Sequence, residues 1–192
     1  GMQADLYIRG GSFDQTLLLI DGIKVEDPQT GHHTMNMTLP LEVIEKIEII
    51  KGSAGRMYGQ NAFTGAVNII TKKNINNNIS VGLSKGSFNQ NRFGVTVENQ
   101  SEKSGFIFNF IRKDSEGYRY NTDFKNNQIF IKNDFKIKDR KISAIAAFNE
   151  RKFGANGFYA SPSAIDQYEE TQASLIGIST SYEKNDLTIK PK

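Results

Sequence analysis

The sequence contains no cysteine among its 192 residues, which excludes disulfides and thiolate metal sites and leaves the redox compartment open. It also lacks any apolar run near the ~20 residues that a membrane-spanning helix requires. Its longest candidates, residues 17–20 and 144–148, are strand-sized. A helical membrane protein is therefore excluded, whereas a β-barrel is not, because barrel strands hide their apolar residues by alternation. An excess of one charge is missing too: 24 Lys and Arg against 21 Asp and Glu leave +3. Cations and acids interleave along residues 132–141, the mark of a solvated surface, so no nucleic-acid partner is expected. No secretory signal opens the chain; Gly1 before Met2 reads as a residue left by tag removal, and the natural N-terminus is expected upstream.

What the sequence does contain falls into two parts. Up to about residue 74, short apolar segments are punctuated by glycine. Leu6-Tyr7-Ile8, strand-like, runs into Arg9-Gly10-Gly11, and residues 17–20 run into the turn pair Asp21-Gly22. Residues 41–44 follow Pro40 and suit one helical turn. Residues 47–50 and 66–71 read as strands on either side of a Gly-rich stretch. Such a mixture predicts a compact α+β module.

From about residue 79 the pattern becomes long two-faced strands, expected near 79–88, 90–99, 105–113, 127–138, 141–151 and 173–184. One face carries Phe93, Val95 and Val97, then Phe106, Phe108 and Phe110, then Ile129, Ile131, Phe135 and Ile137. Ile142, Ala144, Ala146 and Phe148 follow, and last Ile176, Ile178 and Tyr182. Asn109, Lys132, Asp134, Lys136, Ser143, Ser179 and Ser181 take the opposite face. Short links near 98–105, 137–141 and 183–186 alternate with long ones at 112–126 and 152–172. A soluble sheet with one wet face gives the same periodicity. The alternating link lengths favour a membrane barrel, with short turns at one end and long loops at the other.

Residues 47–72 read IEIIKGSAGRMYGQNAFTGAVNIITK. Together with Ile8-Arg9-Gly10-Gly11 and Leu19-Ile20-Asp21-Gly22, this run resembles the plug of TonB-dependent receptors. That family carries I-R-G, a D-G turn, I-E-V-x-R-G-P, L-Y-G and G-G-V-I-N-I-I-T in the same order. Lys51, Ser53 and Met57 depart from its arginine, proline and leucine, and Thr64-Gly65-Ala66 stands where G-G-V is common.

The resemblance implies a mainly β chain with residues 1–74 as a partial plug and 75–192 as the first six or so barrel strands and the start of a seventh. It further implies an outer-membrane location in a Gram-negative bacterium and a metal-chelate substrate such as a ferric siderophore, cobalamin or haem. A TonB complex would engage a segment upstream of residue 1. No enzyme, cofactor or bound metal is expected.

Residues 52–59 lack the Gly-Lys-Ser/Thr ending of a phosphate loop, and Asp21 with the histidines lacks a nucleophile elbow or metal-binding helix. The rival reading is a soluble β-rich interaction module with a plug-like segment.

Candidate site residues follow from the same comparison. Residues 26–34 (EDPQTGHHT), with Gln29, His32 and His33, would lie near the plug apex, where imidazole can ligate a metal centre or donate to a chelate. Gln60, Asn61 and Phe63 form a second apical loop. Tyr118, Tyr120, Phe158, Tyr159 and Tyr168 lie in the two long loops, where amphipathic rings suit a large, partly apolar ligand. Solvent-exposed loop histidines and interfacial aromatics are the simpler accounts. Arg9, Lys51 and Arg56 would pair with carboxylates of the barrel wall.

Overall fold

A computed structural model describes residues 4–27, 30–37, 39–52, 58–59, 61–73, 75–184 and 187–191. The chain divides into two compact units, Gln3–Asn74 and Ile75–Pro191.

The first unit is a four-stranded sheet of β1 (Thr16–Ile20), β2 (Ile23–Val25), β3 (Ile44–Lys51) and β4 (Gly65–Thr71), in the order β2-β1-β4-β3. Ile20 pairs with Ile23, so Asp21-Gly22 is a two-residue hairpin loop. Both residues have positive φ, 50° and 74°. That conformation fits the right-handed strand twist and favours an Asp-Gly pair.

β1 then runs parallel to β4, from Thr16 opposite Gly65 to Ile20 opposite Ile69, while β3 lies antiparallel to β4. Every residue of β1 is buried, as a strand covered on both faces must be. Leu17, Leu19, Ala62 and Ala66 form a core cluster against which Ile50 and Tyr58 pack. Leu41–Val43 makes the expected single turn, as a 3-10 helix after Pro40.

Two features depart from the sequence reading. Residues 6–8 form no strand and enter a turn in which Gly11 N–H donates to the Ile8 carbonyl (3.1 Å), with Arg9 and Gly10 at φ 52° and 76°. Ile8 packs instead beside Gly65, where an added Cβ would meet its Cδ1 at 2.9 Å and overlap the Ile50 carbonyl. The histidine loop is also more ordered than a polar turn, forming a 3-10 helix over Gly31–Met37.

The second unit is a seven-stranded antiparallel meander in strictly sequential order. Its strands are β5 (Asn78–Lys85), β6 (Asn91–Gln100), β7 (Ser104–Ser115), β8 (Phe124–Ile137), β9 (Arg140–Gly154), β10 (Tyr168–Lys184) and β11 (Leu187–Ile189). Links 101–103 and 138–139 fall at one end of the sheet; links 86–90, 116–123 and 155–167 fall at the other and lengthen along the chain. The excursions expected over 112–126 and 152–172 are shorter than that, because the ladders of β7, β8, β9 and β10 run on into them.

The register places the five apolar sets on one face. Val95 pairs with Phe110, Phe110 with Ile129, and Ile129 with Phe148; Ile131 pairs with Ala146, and Ala146 with Ile176. Ile79, Val81 and Leu83 of β5 join the same face through Val97, Val95 and Phe93. Much of it is open: Leu83, Ile176 and Ile178 are 77%, 80% and 64% exposed. The opposite face is buried and mixed, with Ile107, Ile111, Phe130 and Ile145 beside Thr96, Asn109, Gln128 and Lys132. There Asn109 donates to Thr96 Oγ1 (2.8 Å), and Lys132 pairs with Asp134 (3.4 Å). No described helix is long and apolar enough to cross a membrane, which says nothing of strands.

Candidate functional site

In the first unit, the residues proposed for the apex gather at one end of β1 and β2. The hairpin that carries them is pinned from β4. The Asp21 carboxylate accepts from the backbone N–H of Thr71 (3.0 Å) and from its hydroxyl (2.5 Å), while Asn68 Oδ1 accepts from Gly22 N–H (2.9 Å). Thr71 is fully buried, so these bonds are shielded from water.

Beyond β2, Asp27 Oδ1 accepts from Thr30 N–H (3.2 Å) and His33 N–H donates to the Thr30 carbonyl (3.0 Å), which sets up the helix at Gly31–Met37. His32 stacks on Phe13 with ring centroids 3.9 Å apart, and its Nδ1 lies 3.0 Å from Asp5 Oδ1. That carboxylate is largely buried, at 13% side-chain exposure, whereas the imidazole keeps 39%. The polar turn-rich loop thus becomes an ordered shelf with one half-open imidazole.

The second proposed loop meets the first. Asn61, at φ 70°, donates from Nδ2 to Glu26, which also pairs with Lys24 at 2.9 Å. Between them is a cavity of about 290 Å³ lined by Phe13, Asp14, Glu26, Asp27, Thr30 and Asn61, among others. Phe63 stands outside this cluster and is 72% exposed. Gln29, Gln60 and Arg56 lie outside the described residues. Arg9 and Lys51 are exposed; Arg9 Nη1 would be 3.6 Å from a Cβ placed on Gly52.

In the second unit, Tyr118, Tyr120, Phe158 and Tyr159 lie in the long links, whereas Tyr168, expected in a loop, is the first residue of β10. Two asparagines that the sequence reading did not single out tie the loops together. Asn121 Nδ2 donates to the carbonyls of Ile165 (2.8 Å) and Gln167 (2.6 Å), and Asn156 Nδ2 donates to that of Tyr120 (2.6 Å). Gly154 is needed where the loops cross, since a Cβ there would come within 2.5 Å of the Asn121 backbone. Tyr120 donates to Asp166 (2.6 Å), and that bond holds its phenol above the usual range. Burial and a hydrogen bond to Glu169 push Tyr159 up further. Tyr159 also meets Phe158 edge-on at 4.9 Å, and Tyr118 carries Arg119 over its ring at 5.4 Å. Tyr118, Tyr120 and Tyr168 are each more than half exposed. The loops therefore present aromatic and polar groups on a hydrogen-bonded frame.

A meander with one exposed apolar face and all long links at one end is the signature of an outer-membrane barrel segment. Residues 1–66 match the family model described as TonB-dependent Receptor Plug Domain. The vitamin B12 transporter BtuB of Vibrio cholerae is 40% identical over 72 residues, covering 38% of this chain and 12% of that transporter. The iron-regulated outer membrane virulence protein of Vibrio cholerae is 37% identical over 79 residues, with the same 38% and 12% coverage.

Among solved structures, FpvA of P. aeruginosa, bound to a ferric pyoverdine, superposes with a TM-score of 0.74 at 15% identity, over 97% of this chain and 28% of that one. The siderophore receptor PiuA of Acinetobacter baumannii gives 0.71 at 16% identity, over 96% and 29%. At these identities the structural likeness shows the fold. Residues 1–66 therefore match the plug of TonB-dependent receptors, and the strands that follow have the fold of solved siderophore receptors. The chain spans about an eighth of the length of the curated relatives it matches.

Proposed function

We propose that the whole receptor binds a scarce metal chelate at the cell surface and imports it, with energy supplied by a TonB complex acting on a segment upstream of residue 1. Residues 1–74 then serve as part of the plug and 75–192 as the first barrel strands. The observation that carries this reading is the exposed apolar face, continuous from β5 to β10, combined with long links confined to one end. A soluble interaction module would leave that face in water, at a size that soluble monomers rarely tolerate.

On this reading the substrate undergoes no chemistry. The ordered shelf at Gly31–Met37 and the tyrosines of the loops offer an imidazole, hydroxyls and ring faces suited to a bulky chelate with both apolar and polar surface. A ferric siderophore, a cobalamin and haem all have that chemistry, and the similar proteins named above include receptors for the first two. Arg9, Lys51 and Arg56 are assigned to the wall of the barrel.

Uptake of labelled ferric siderophore, cobalamin and haem by cells whose only such receptor is the full-length protein tests the proposal. Accumulation of one of them that disappears when TonB is deleted is the expected result. Recovery of the receptor in the soluble fraction, or uptake indifferent to TonB, would overturn it.

A further inference from the structure

The three long links of the meander, 86–90, 116–123 and 155–167, are bonded into one piece, and Asn121 stands at its centre. Its φ of 50° is left-handed, a conformation that Asn tolerates better than most residues. From there Nδ2 donates to the carbonyls of Ile165 (2.8 Å) and Gln167 (2.6 Å), while its own carbonyl accepts from Asn156 N–H (3.2 Å). The Gln167 carbonyl also accepts from Ala155 N–H (2.8 Å), which closes the neck of the longest link. Arg119 Nη2 adds a bond to the Asn156 carbonyl (3.2 Å). Link 116–123 is thus seated at the neck of link 155–167, where Gly154 leaves no room for a Cβ beside Asn121.

The shortest of the three links joins the same piece. Gln90 N–H donates to the Ser87 carbonyl (3.2 Å), closing a turn whose central residues, Phe88 and Asn89, have φ of 57° and 51°. That conformation is costly for a side chain as bulky as Phe and persists only where the surroundings fix it. Here the Phe88 carbonyl accepts from Glu116 N–H and from Ser115 Oγ, both at 3.0 Å. Asn89 Nδ2 donates to Glu116 Oε2 (2.9 Å). The Phe88 ring is thereby held edge-on to Tyr118, with centroids 6.4 Å apart. Phe88, Tyr118, Tyr120, Phe158 and Tyr159 are 41–65% exposed, so five open rings share one bonded frame.

Loops that close over a ligand come from the weakly held parts of a fold, with few bonds to their neighbours. These links show the reverse arrangement. We infer that Asn121 is a positioning residue for chelate capture: it locks the three links into a preformed wall that presents the five rings without closing on the chelate. The inference rests on the receptor reading above. A wall ordered before binding spares the ordering cost that free loops would incur on contact. The lock therefore acts on affinity and not on the transport step.

Asn121→Asp tests this with little disturbance of the backbone, because Asp keeps the size and tolerates the left-handed turn but has no N–H to donate. In the full-length receptor, hydrogen exchange should show the bonded amides of 116–123 and 155–167 losing protection together, by about tenfold or more, with β8 and β9 unchanged. Asn121→Gly, which also accepts the positive φ, should do the same. Loss confined to 116–123 in both variants would overturn the lock. Uptake is then measured with whichever of ferric siderophore, cobalamin or haem the wild type accumulates. Half-saturation in Asn121→Asp should need about tenfold more of that compound, at unchanged maximal rate and outer-membrane abundance. Saturating the wild type with it should change protection of the three links by no more than about twofold. A lowered maximal rate with unchanged half-saturation, or a large gain of protection in the wild-type links, would overturn the preformed wall. Accumulation of none of the three compounds by the wild type would remove the receptor reading, and this inference with it.

Discussion

At the scale of single residues, the plug unit depends on a few polar groups that reach across the sheet. Asp21 is the clearest, since its left-handed turn lets one carboxylate hold both the backbone and the hydroxyl of Thr71. Losing two bonds to a charged, half-shielded acceptor costs about 2 kcal/mol. Asp21→Ala is expected to lower hydrogen-exchange protection of the β1 and β4 amides by a factor of about 30. Asp21→Asn keeps an acceptor and tolerates the turn, so it should cost much less. His32 gives a second prediction. Because Asp5 and Phe13 hold its ring, replacing both His32 and His33 by Ala in the full-length receptor should weaken chelate binding at unchanged outer-membrane abundance. Asp5→Ala should reproduce part of that loss if the ring acts through its position. Unaltered affinity in the double variant would leave the histidines a purely structural role.

At the scale of elements, the meander was largely legible because side chains alternate with period two and backbone ladders preserve that alternation across neighbours. Phe93, Phe110, Ile129, Phe148 and Ile176 could be assigned to one face before any pairing was known, and the register agrees. Strand ends were less legible. β8 begins at Phe124, β9 reaches Gly154 and β10 begins at Tyr168, through stretches whose outward residues include Lys125, Asn127, Lys152 and Glu170. Polar side chains there leave no apolar alternation from which the ladder could be read. β2 is only three residues long and gives no periodicity to read. The candidate site was legible as loops but not as contacts: Asp5 with His32 and Glu26 with Asn61 join residues 27 and 35 positions apart. The apolar band also yields a prediction. Ile131→Arg, near its middle, should reduce stability in bilayers by about 2–4 kcal/mol, measured by reversible urea unfolding of the full-length barrel. Ser143→Arg on the opposite face should cost distinctly less.

At the scale of the whole molecule, the meander has two edges, β5 and β11, each with a row of backbone groups that can pair with another chain. Together with the open apolar face, this makes the 192-residue polypeptide in aqueous buffer an associating species. Light scattering on the purified chain should report oligomers that detergent disperses; a monodisperse monomer without detergent would contradict this. The two sheets also differ in when they can form. Every strand from β5 to β11 pairs with its immediate sequence neighbours, so the meander can grow hairpin by hairpin at little loop-closure cost. The plug sheet cannot, because its central strand β4 must return across 49 residues to lie parallel to β1. During synthesis, β4 is the last plug strand to emerge and the one that joins β1 to β3, so the plug sheet stays in two pieces until the chain stands at the threshold of the barrel.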